Sequence, residues 1–491
     1  MCPLCTRALA ESYGNYPYPN PKLHFTCFVC ATHDSKYLDD EGDEMEPQKL
    51  YAASELKMEG GGVPAGNLAA AKLRLHVDIN KTIIMEDKAS NCASTESMLS
   101  SILSECAWGV VEGGEGGAAP SFRLVSEVPT STPPAAQGVD PAALLSYGDF
   151  LEVSMPRGPD RRRAKTSFTD SELGACFRPY VEQLRMRLSV DGAGGGGSHY
   201  IVPAFFTLIT VLAERGQNFE LVLRSFGHDI GDVVEEFNAF CAGTHPLYPP
   251  PGGPDGERVA ATLRSKRIHV RGKLLRGTPS SSCPSSSDAE AGADVEGTEK
   301  VQERVLLERI ECVGGGTSST ALATAPATAP DTAHATAAGM EAAAAATAAA
   351  VAEAAVVVEA EGVEAVARVI DAWLAQGSVA IQDDFPYWRG RAEACDAGKL
   401  LLLSREREGL GPGKCATLFF DDNIERGRAH IVDVRYSDTF ESVPFSTSRG
   451  RYLIRATPLD AIADVHTFVR QVDDALAFRG AVAAASTEGS G

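Results

Sequence analysis

The sequence is poor in positive charge and has no long apolar run. Its 491 residues contain 45 Lys and Arg against 66 Asp and Glu, which gives a formal net charge of -21. Binding to nucleic-acid phosphates or to anionic lipid requires clustered Lys and Arg, so this balance argues against a nucleic-acid-binding protein and a polybasic membrane protein. The longest strongly apolar stretch, residues 201–212, is too short to cross a bilayer. We therefore expect neither nucleic acid nor membrane as a partner.

The first residues lack the basic and apolar segments of a secretory signal. We expect a cytoplasmic protein, with the nucleus as the alternative. In these compartments the 12 cysteines are reduced thiols or metal ligands rather than a disulfide framework. Apolar residues make up 44% of the chain, which is enough for a folded core.

Composition divides the chain into five segments. Residues 1–38 are rich in Cys, Tyr and His. Residues 39–69 are acidic and Gly-rich and are predicted to be a solvated linker, because closely spaced like charges repel. A first folded part covers 70–250 and a second covers 351–482. The insert between them, 251–350, is rich in Ala, Ser and Pro and is predicted to be disordered, because it cannot bury enough apolar surface to offset its chain entropy.

The two folded parts alternate strand and helix patterns. Strands are predicted at 73–79, 219–224, 416–420 and 430–434, and helices at 177–188, 202–215 and 229–240. Strands that alternate with helices are typical of a parallel α/β sheet. The Ala-rich piece at 340–373 has high helix propensity and is predicted to be helical near its end.

Cysteine and histidine are concentrated at the start of the chain, at three-residue steps. The candidate metal ligands are Cys2, Cys5, His24, Cys27, Cys30 and His33. A two-residue gap lets a short turn direct two ligands at one metal, and a second such pair completes a tetrahedron. This spacing predicts structural Zn²⁺, and the alternative is a set of reduced, uninvolved cysteines.

The pattern C-x2-C-x18-H-x2-C-x2-C-x2-H resembles the first half of a LIM domain. The resemblance implies that the first four ligands bind one zinc and that Cys30 and His33 begin a second site. No Cys occurs between Cys30 and Cys92. Either acidic residues of the linker complete the second site, which would extend the module to residue 55, or that site is degenerate. LIM domains are protein-interaction modules, so the resemblance implies a protein partner.

Polar residues follow the ends of the predicted strands. They are Asp78, Asn80 and Thr82 after the first strand, Ser225 after the second, Asp421 and Asp422 after the third, and Lys399 before the third. In an open α/β sheet, ligands bind at the carboxyl ends of the strands. Several carboxylates, a hydroxyl and a Lys at such ends are what an Mg²⁺-dependent phosphoryl-transfer site requires.

The order of these residues resembles the four motifs of the haloacid dehalogenase-like (HAD) superfamily, over residues 70–250 and 360–480. The resemblance implies a Rossmann-like parallel sheet with a cap inserted between Asp78 and Ser225. It implies that Asp78 is a nucleophile that forms an aspartyl-phosphate, and that Thr82 belongs to the same catalytic motif. Ser225 and Lys399 would bind the phosphoryl oxygens, with Lys414 as the alternative to Lys399.

The same resemblance implies that Mg²⁺ is held by Asp78, the Asn80 carbonyl, and Asp421 or Asp422. Phosphatases of this superfamily carry a second Asp where this sequence has Asn80. Asn does not transfer a proton near pH 7, and general acid–base help is commonly worth about 10²–10⁴-fold. Turnover is therefore expected to fall by that order, and to fall less for an acyl phosphate.

Two functions stay open on this sequence. The first is a zinc-binding, LIM-like interaction protein whose HAD-like domain binds metal and has reduced Mg²⁺-dependent phosphatase activity. The second is an active phosphatase or phosphotransferase that acts on a small phosphorylated substrate through Asp78.

Overall fold

The computed structural model describes residues 71–85, 94–113, 120–135, 139–156, 158–190, 197–249, 252, 255–277, 304–310, 356–424 and 431–488, together with the two short strands Tyr37–Leu38 and Glu44–Met45. These two strands pair antiparallel, and the second lies inside the segment predicted to be a linker. All six candidate zinc ligands lie outside the described residues.

The described chain contains fifteen strands. In chain order they are β1 (Tyr37–Leu38), β2 (Glu44–Met45), β3 (Lys72–Asp78), β4 (Trp108–Glu112), β5 (Ser121–Leu124), β6 (Leu145–Ser146), β7 (Phe219–Ser225), β8 (Ile268–Gly277), β9 (Arg304–Ile310), β10 (Val356–Glu361), β11 (Ser378–Asp383), β12 (Lys399–Leu403), β13 (Cys415–Asp421), β14 (Val432–Tyr436) and β15 (Leu453–Arg455).

The described chain also contains twelve α-helices. They are α1 (Thr95–Ser104), α2 (Tyr147–Ser154), α3 (Pro159–Thr166), α4 (Arg178–Leu188), α5 (Pro203–Glu214), α6 (Ile230–Ala242), α7 (Gly256–Arg264), α8 (Val363–Leu374), α9 (Phe385–Gly390), α10 (Phe445–Ser448), α11 (Pro458–Ala463) and α12 (Thr467–Glu488). Within the described ranges, no helix combines the length and the apolar character needed to span a bilayer.

The centre of the fold is an eight-stranded sheet in the order β10-β9-β8-β11-β7-β3-β13-β15. The six strands from β8 to β15 in this order run parallel, and β9 and β10 extend the sheet with antiparallel pairings. The prediction of an α/β fold around a parallel sheet is therefore confirmed in part: the central sheet is mostly parallel, with two antiparallel strands at one edge. Three of the four predicted strands lie in this sheet as β3, β7 and β13.

The fourth predicted strand forms as β14, but it does not join the central sheet. It pairs in parallel with β12 in a separate two-stranded sheet, with Lys399 opposite Val432. The apolar side of this small sheet packs into its own buried cluster, which includes Leu401, Val434 and Trp388. This arrangement places the start of β12 beside the carboxyl edge of the central sheet.

The prediction of a structureless insert at 251–350 is wrong for residues 255–277 and 304–310. These residues form α7, β8 and β9, and β8 lies in the central sheet beside β11. β8 alternates buried Ile268, Val270 and Leu274 with more exposed side chains, which is the pattern of a strand. The neighbouring Pro, Gly and Ser residues obscured that pattern in the sequence.

The Ala-rich piece is helical only at its end. α8 buries Val366 and Leu374, but residues 356–361 before it form β10. Three consecutive β-branched residues start that strand, and their restricted side chains favour extended backbone over helix. The last helix, α12, continues beyond the predicted end of the second folded part at 482.

An α/β segment is inserted between β3 and β7. It contains α1–α4 and the antiparallel sheet β5-β4-β6. The start of α2 is fixed locally, because Ser146 and Asp149 each accept a hydrogen bond from the other's backbone N–H. Arg187 of α4 donates to the carbonyl of Ala463, 2.7 Å away, which ties the insertion to α11.

The strand order reverses at β3, and a crevice is expected there. From β3 the chain continues to β7 on one side, and it later returns to β13 on the other side. In open α/β sheets such a reversal of strand order leaves a crevice at the carboxyl ends of the two strands, where ligands bind. The crevice between β3 and β13 is therefore the expected location of a site.

Candidate functional site

Three buried carboxylates meet at this crevice. Asp78 is the last residue of β3, Asp421 is the last residue of β13, and Asp422 follows it. One carboxylate oxygen from each lies within 4.8 Å of the others. Across the described ranges, this is the one group of three such side chains with the spacing of a metal site.

Lys399 provides the positive charge at this cluster. Its Nζ donates to Asp421 Oδ2 over 2.7 Å and also to Asp78 Oδ1. The side chain is 2% exposed, because β12 begins directly against the carboxyl edge of the sheet. Lys414 lies at the opposite end of β13, where its Nζ donates to the carbonyl of Glu406. The structure thus places Lys399, and not Lys414, beside the carboxylates.

A tight loop after β3 directs Thr82 back toward Asp78. The backbone N–H groups of Ile83 and Ile84 both donate to the carbonyl of Ile79 over 3.0 Å, and Lys81 has a left-handed φ of 58°. This turn lets Thr82 Oγ1 donate to Asp78 Oδ2 over 3.2 Å. Both oxygens of Asp78 therefore accept a hydrogen bond.

Asn80 is held by two side chains from the next strand and helix. Ser225 Oγ donates to Asn80 Oδ1 over 3.1 Å, and Asn80 Nδ2 donates to Asp229 Oδ2 over 3.0 Å. Ser225 Oγ itself accepts from the N–H of Gly227 over 2.8 Å. Ser225 therefore orients Asn80 and has no hydrogen bond to Asp78 or Lys399 within the described structure.

Gly227 makes this arrangement sterically feasible. A Cβ at this position would lie 3.2 Å from Asn80 Oδ1 and 3.3 Å from both Asp229 Oδ2 and Ser225 Oγ. The absence of a side chain therefore lets the loop after β7 approach Asn80 closely.

The sequence reasoning missed Asp229. It precedes the apolar pattern of α6, so its position indicates a helix start and nothing about Asn80. The two residues are 149 positions apart in the chain, and no local pattern connects them. The hydrogen bond from Asn80 places the carboxylate of Asp229 beside the loop that follows β3.

The carboxylates of the cluster are buried, and burial is the main cause of the shifted pKa values of Asp78 and Asp422. Burial raises the pKa of Asp78 to about 7 and outweighs the opposing effect of Lys399, while the charge of Asp421 raises this pKa further. Burial and the charge of Asp421 also raise the pKa of Asp422 well above its usual value. Burial alone would lower the pKa of Lys399, but Asp421 and Asp78 raise it above the usual value.

These features fit a divalent cation. Carboxylate oxygens are the ligands that Mg²⁺ prefers in proteins. Three carboxylates are buried together here, and burial is the main cause of the raised pKa values of Asp78 and Asp422, so a bound cation would stabilise their ionised forms. The donor set is therefore suited to Mg²⁺ bound by Asp78, Asp421 and Asp422.

Neighbouring groups hold the carboxylates in place. The backbone N–H of Asn423 donates to Asp421 Oδ1 over 2.9 Å, and its side-chain amide donates to Asp422 Oδ1 over 2.7 Å. On the other side, the ring of Phe226 lies 5.2 Å from Lys399 Nζ and stacks on Trp388. The site is thus bounded by fixed amide donors and an aromatic wall.

The insertion between β3 and β7 also approaches the site. Glu105, at the end of α1, is close enough to Asp422 to contribute to its raised pKa. Burial opposes ionisation of Glu105, but Lys165 and Lys81 hold its pKa below the usual value. The inserted segment therefore places an ionised carboxylate near the carboxyl edge of the sheet.

Cys2, Cys5 and the other four zinc-ligand candidates lie outside the described residues. No family model matches the chain, and no curated protein or solved structure is significantly similar to it.

Proposed function

We propose that the folded part of the chain is an Mg²⁺-dependent phosphoryl-transfer domain of the HAD type, with Asp78 as its nucleophile. The observation that carries this proposal is the meeting of Asp78, Asp421 and Asp422 around Lys399. They meet at the carboxyl ends of β3 and β13, where the strand order reverses and a ligand crevice is expected.

Asp421, Asp422, Asp78 and the carbonyl of Asn80 would hold the Mg²⁺. When bound, Mg²⁺ neutralises phosphoryl oxygens and so reduces their repulsion from the attacking carboxylate. Lys399 binds a further phosphoryl oxygen as a point charge. These groups favour the approach of a phosphate dianion to a cluster that is otherwise negative.

Asp78 carries out the transfer. A carboxylate oxygen of Asp78 attacks phosphorus while the bond between phosphorus and the leaving-group oxygen breaks, and the bonding electrons leave with that oxygen. Thr82 orients Asp78 through its hydrogen bond to Oδ2. Water then cleaves the aspartyl-phosphate to phosphate and regenerates Asp78.

Asn80 limits the substrates. Its side chain is occupied by Ser225 and Asp229, and an amide supplies no proton to a departing alkoxide. An acyl phosphate releases a carboxylate, which needs no proton, so the loss of about 10²–10⁴-fold expected from a missing acid falls mainly on ordinary phosphomonoesters. The proposed substrate class is therefore a small acyl phosphate or another phosphate with an activated leaving group.

Hydrolysis assays on the full chain test this proposal. With Mg²⁺ present, acetyl phosphate should be hydrolysed much faster than a simple alkyl phosphate, and Asp78→Asn should abolish both reactions. Asp438→Asn is the matched control, because Asp438 is an exposed carboxylate remote from the cluster. Activity that survives Asp78→Asn would contradict the assignment of the nucleophile.

We also propose that residues 1–38 form a LIM-like module with structural Zn²⁺ that binds a protein partner. The support is the ligand spacing in the sequence. A site closed by four protein ligands leaves no position for a substrate, which favours an interaction role over catalysis.

A further inference from the structure

One face of the central strands carries several buried polar side chains near the candidate site. His76 of β3, Arg224 of β7 and Thr417 of β13 all lie on this face, and each is at least nine-tenths buried. Central strands of a parallel sheet are normally covered by apolar side chains on both faces. A buried polar face at this position therefore needs a reason beyond packing.

A cavity of about 310 Å³ lies against this polar face. It is bounded by α8, the end of β12 and the segment that precedes β13. Five of its lining side chains are cationic and two are acidic: Lys72, Arg74, Arg224, Arg407 and Lys414 against Asp371 and Glu408. This volume is at the lower end of the range of about 300–1,000 Å³ that is typical of small-molecule sites.

His76 contributes a ring N–H donor to the lining of this cavity. Arg224 Nη1 lies 3.3 Å from His76 Nδ1, and a guanidinium has only donors, so Nδ1 accepts and the ring proton is on Nε2. Within the described structure, no acceptor lies within hydrogen-bonding distance of Nε2. The residue is 6% exposed and lines the cavity. A ligand oxygen in the cavity would supply an acceptor for this ring N–H.

Arg224 is not available to a ligand, because its own donors are used. It donates to both oxygens of Asp383 and to the carbonyl of Leu400. Lys414 in contrast has one backbone carbonyl as its partner, and Arg407 pairs with Asp371 at the surface. The cations at the mouth of the cavity are therefore the groups that can rearrange toward an anion.

We propose that this cavity binds a small oxyanion, a phosphate or a carboxylate, that accepts a hydrogen bond from His76 Nε2 and is neutralised by Arg407 and Lys414. The cavity lies toward the amino end of β3, whereas Asp78 is at its carboxyl end. The binding needs neither Mg²⁺ nor Asp78, so it stands independently of the proposed phosphoryl transfer.

Sulfate binding to the full chain tests the proposal. In protein labelled with ¹⁵N-histidine, the Nε2–H signal of His76 is assigned by its loss in His76→Gln, and it should shift as sulfate is added. Calorimetry should give a dissociation constant that rises by about tenfold or more in Arg407→Gln and in Lys414→Gln, because each loses a charge-assisted contact. Both side chains are exposed enough for the variants to fold, which melting curves will check.

Arg405→Gln is the matched control. Arg405 is two positions from Arg407 and is similarly exposed, at 44% against 52%, but it pairs with Glu441 and does not line the cavity. Its sulfate affinity should equal that of the unaltered chain. A His76 signal that does not respond to sulfate would overturn the proposal. So would equal affinities in Arg405→Gln and Arg407→Gln, since sulfate would then bind elsewhere, including at the Asp78 site.

Discussion

Lys399 donates hydrogen bonds to Asp78 and Asp421, which end two neighbouring strands of the central sheet. One buried ammonium therefore joins three segments that are far apart in the chain. Since these strands adjoin the crevice, the same contact that stabilises the fold also positions the proposed nucleophile beside a proposed metal ligand.

Removal of this ammonium should destabilise the protein strongly. Lys399→Met leaves two buried carboxylates without their partner, so the free energy of unfolding in metal-free buffer should fall by about 3–5 kcal/mol. Urea denaturation measures this loss. Lys414→Met, at the exposed lysine, should change the value by no more than about 0.5 kcal/mol. Equal losses in the two variants would show that Lys399 has no special structural role.

Magnesium should stabilise the folded chain through Asp421. A ligand that binds only the folded state adds about 2.7 kcal/mol at a hundredfold excess over its dissociation constant. We expect this increment in the unaltered chain and not in Asp421→Asn. Asp433→Asn provides the control, because Asp433 is also buried but pairs with Arg276 and Arg435. Without Mg²⁺, Asp433→Asn should be less stable than the unaltered chain, but Mg²⁺ should still increase its free energy of unfolding. If Mg²⁺ stabilises neither variant, the assignment of Asp421 as a metal ligand is wrong.

The stability of the metal-free protein should fall as pH rises. Folding raises the pKa of Asp78 from 3.8 to about 7, so between these values the folded state keeps a proton that the unfolded state has released. The contribution is fully present below about pH 4 and is lost as pH passes through about 7. Asp422 acts in the same direction.

Urea denaturation between about pH 5 and about pH 8 measures this effect. The decline should be shallower in Asp78→Asn, which has no proton to lose. Apparent Mg²⁺ affinity should rise over the same interval, because the metal requires the ionised carboxylate. An identical decline in the variant would mean that Asp78 is not the titrating group.

Introducing an acid at Asn80 should increase phosphomonoesterase activity. In Asn80→Asp the new carboxyl group faces Asp229, whose carboxylate lies 3.0 Å from the present amide nitrogen. Repulsion between the two acids raises the pKa of one of them, which suits a proton donor. Turnover of 4-nitrophenyl phosphate should rise by about 10²-fold.

The double variant Asn80→Asp with Asp229→Asn shows which of the two acids donates the proton. If position 80 supplies the proton, the increase should persist in the double variant. If the double variant returns to the original rate, Asp229 is the acid and the role assigned to Asn80 is wrong.

The N-terminal module should contain zinc. Metal analysis of the full chain should give at least one Zn²⁺ per molecule, and Cys27→Ala should lose it, because a tetrahedral site needs all four ligands. Cys395→Ala is the control, since Cys395 is a free and exposed cysteine of the folded part. A zinc content unaffected by Cys27→Ala would show that the LIM-like spacing is coincidental.

The sequence predicted the parts of the fold that have a local signal. β3, β7 and β13 follow from alternating or continuous apolar residues, and α5 and α6 follow from their helical periodicity. The strand β8 was missed because the composition around it outweighed its own alternation. The pairing of β14 with β12 instead of the central sheet depends on long-range packing, which no local pattern records.

The candidate site was likewise only partly predictable from local sequence signals. Asp78, Asp421 and Asp422 were recognisable because a strand end carries chemistry in this type of sheet. Asp229 and His76 were not, because their roles arise from contacts with residues about 150 positions away, Asn80 and Arg224. The acids at the strand ends could therefore be recognised from the sequence. The contacts of Asp229 and His76 could be found only in the structure.

The proposed role of Asp78 is tested most directly by a crystal structure of the full chain with Mg²⁺ and beryllofluoride, which mimics a phosphoryl group on a carboxylate. We expect beryllium bonded to a carboxylate oxygen of Asp78, Lys399 within hydrogen-bonding distance of a fluorine, and Mg²⁺ bound by Asp421 or Asp422. Beryllofluoride bound to another residue, or Mg²⁺ absent from these carboxylates at saturating concentration, would contradict it.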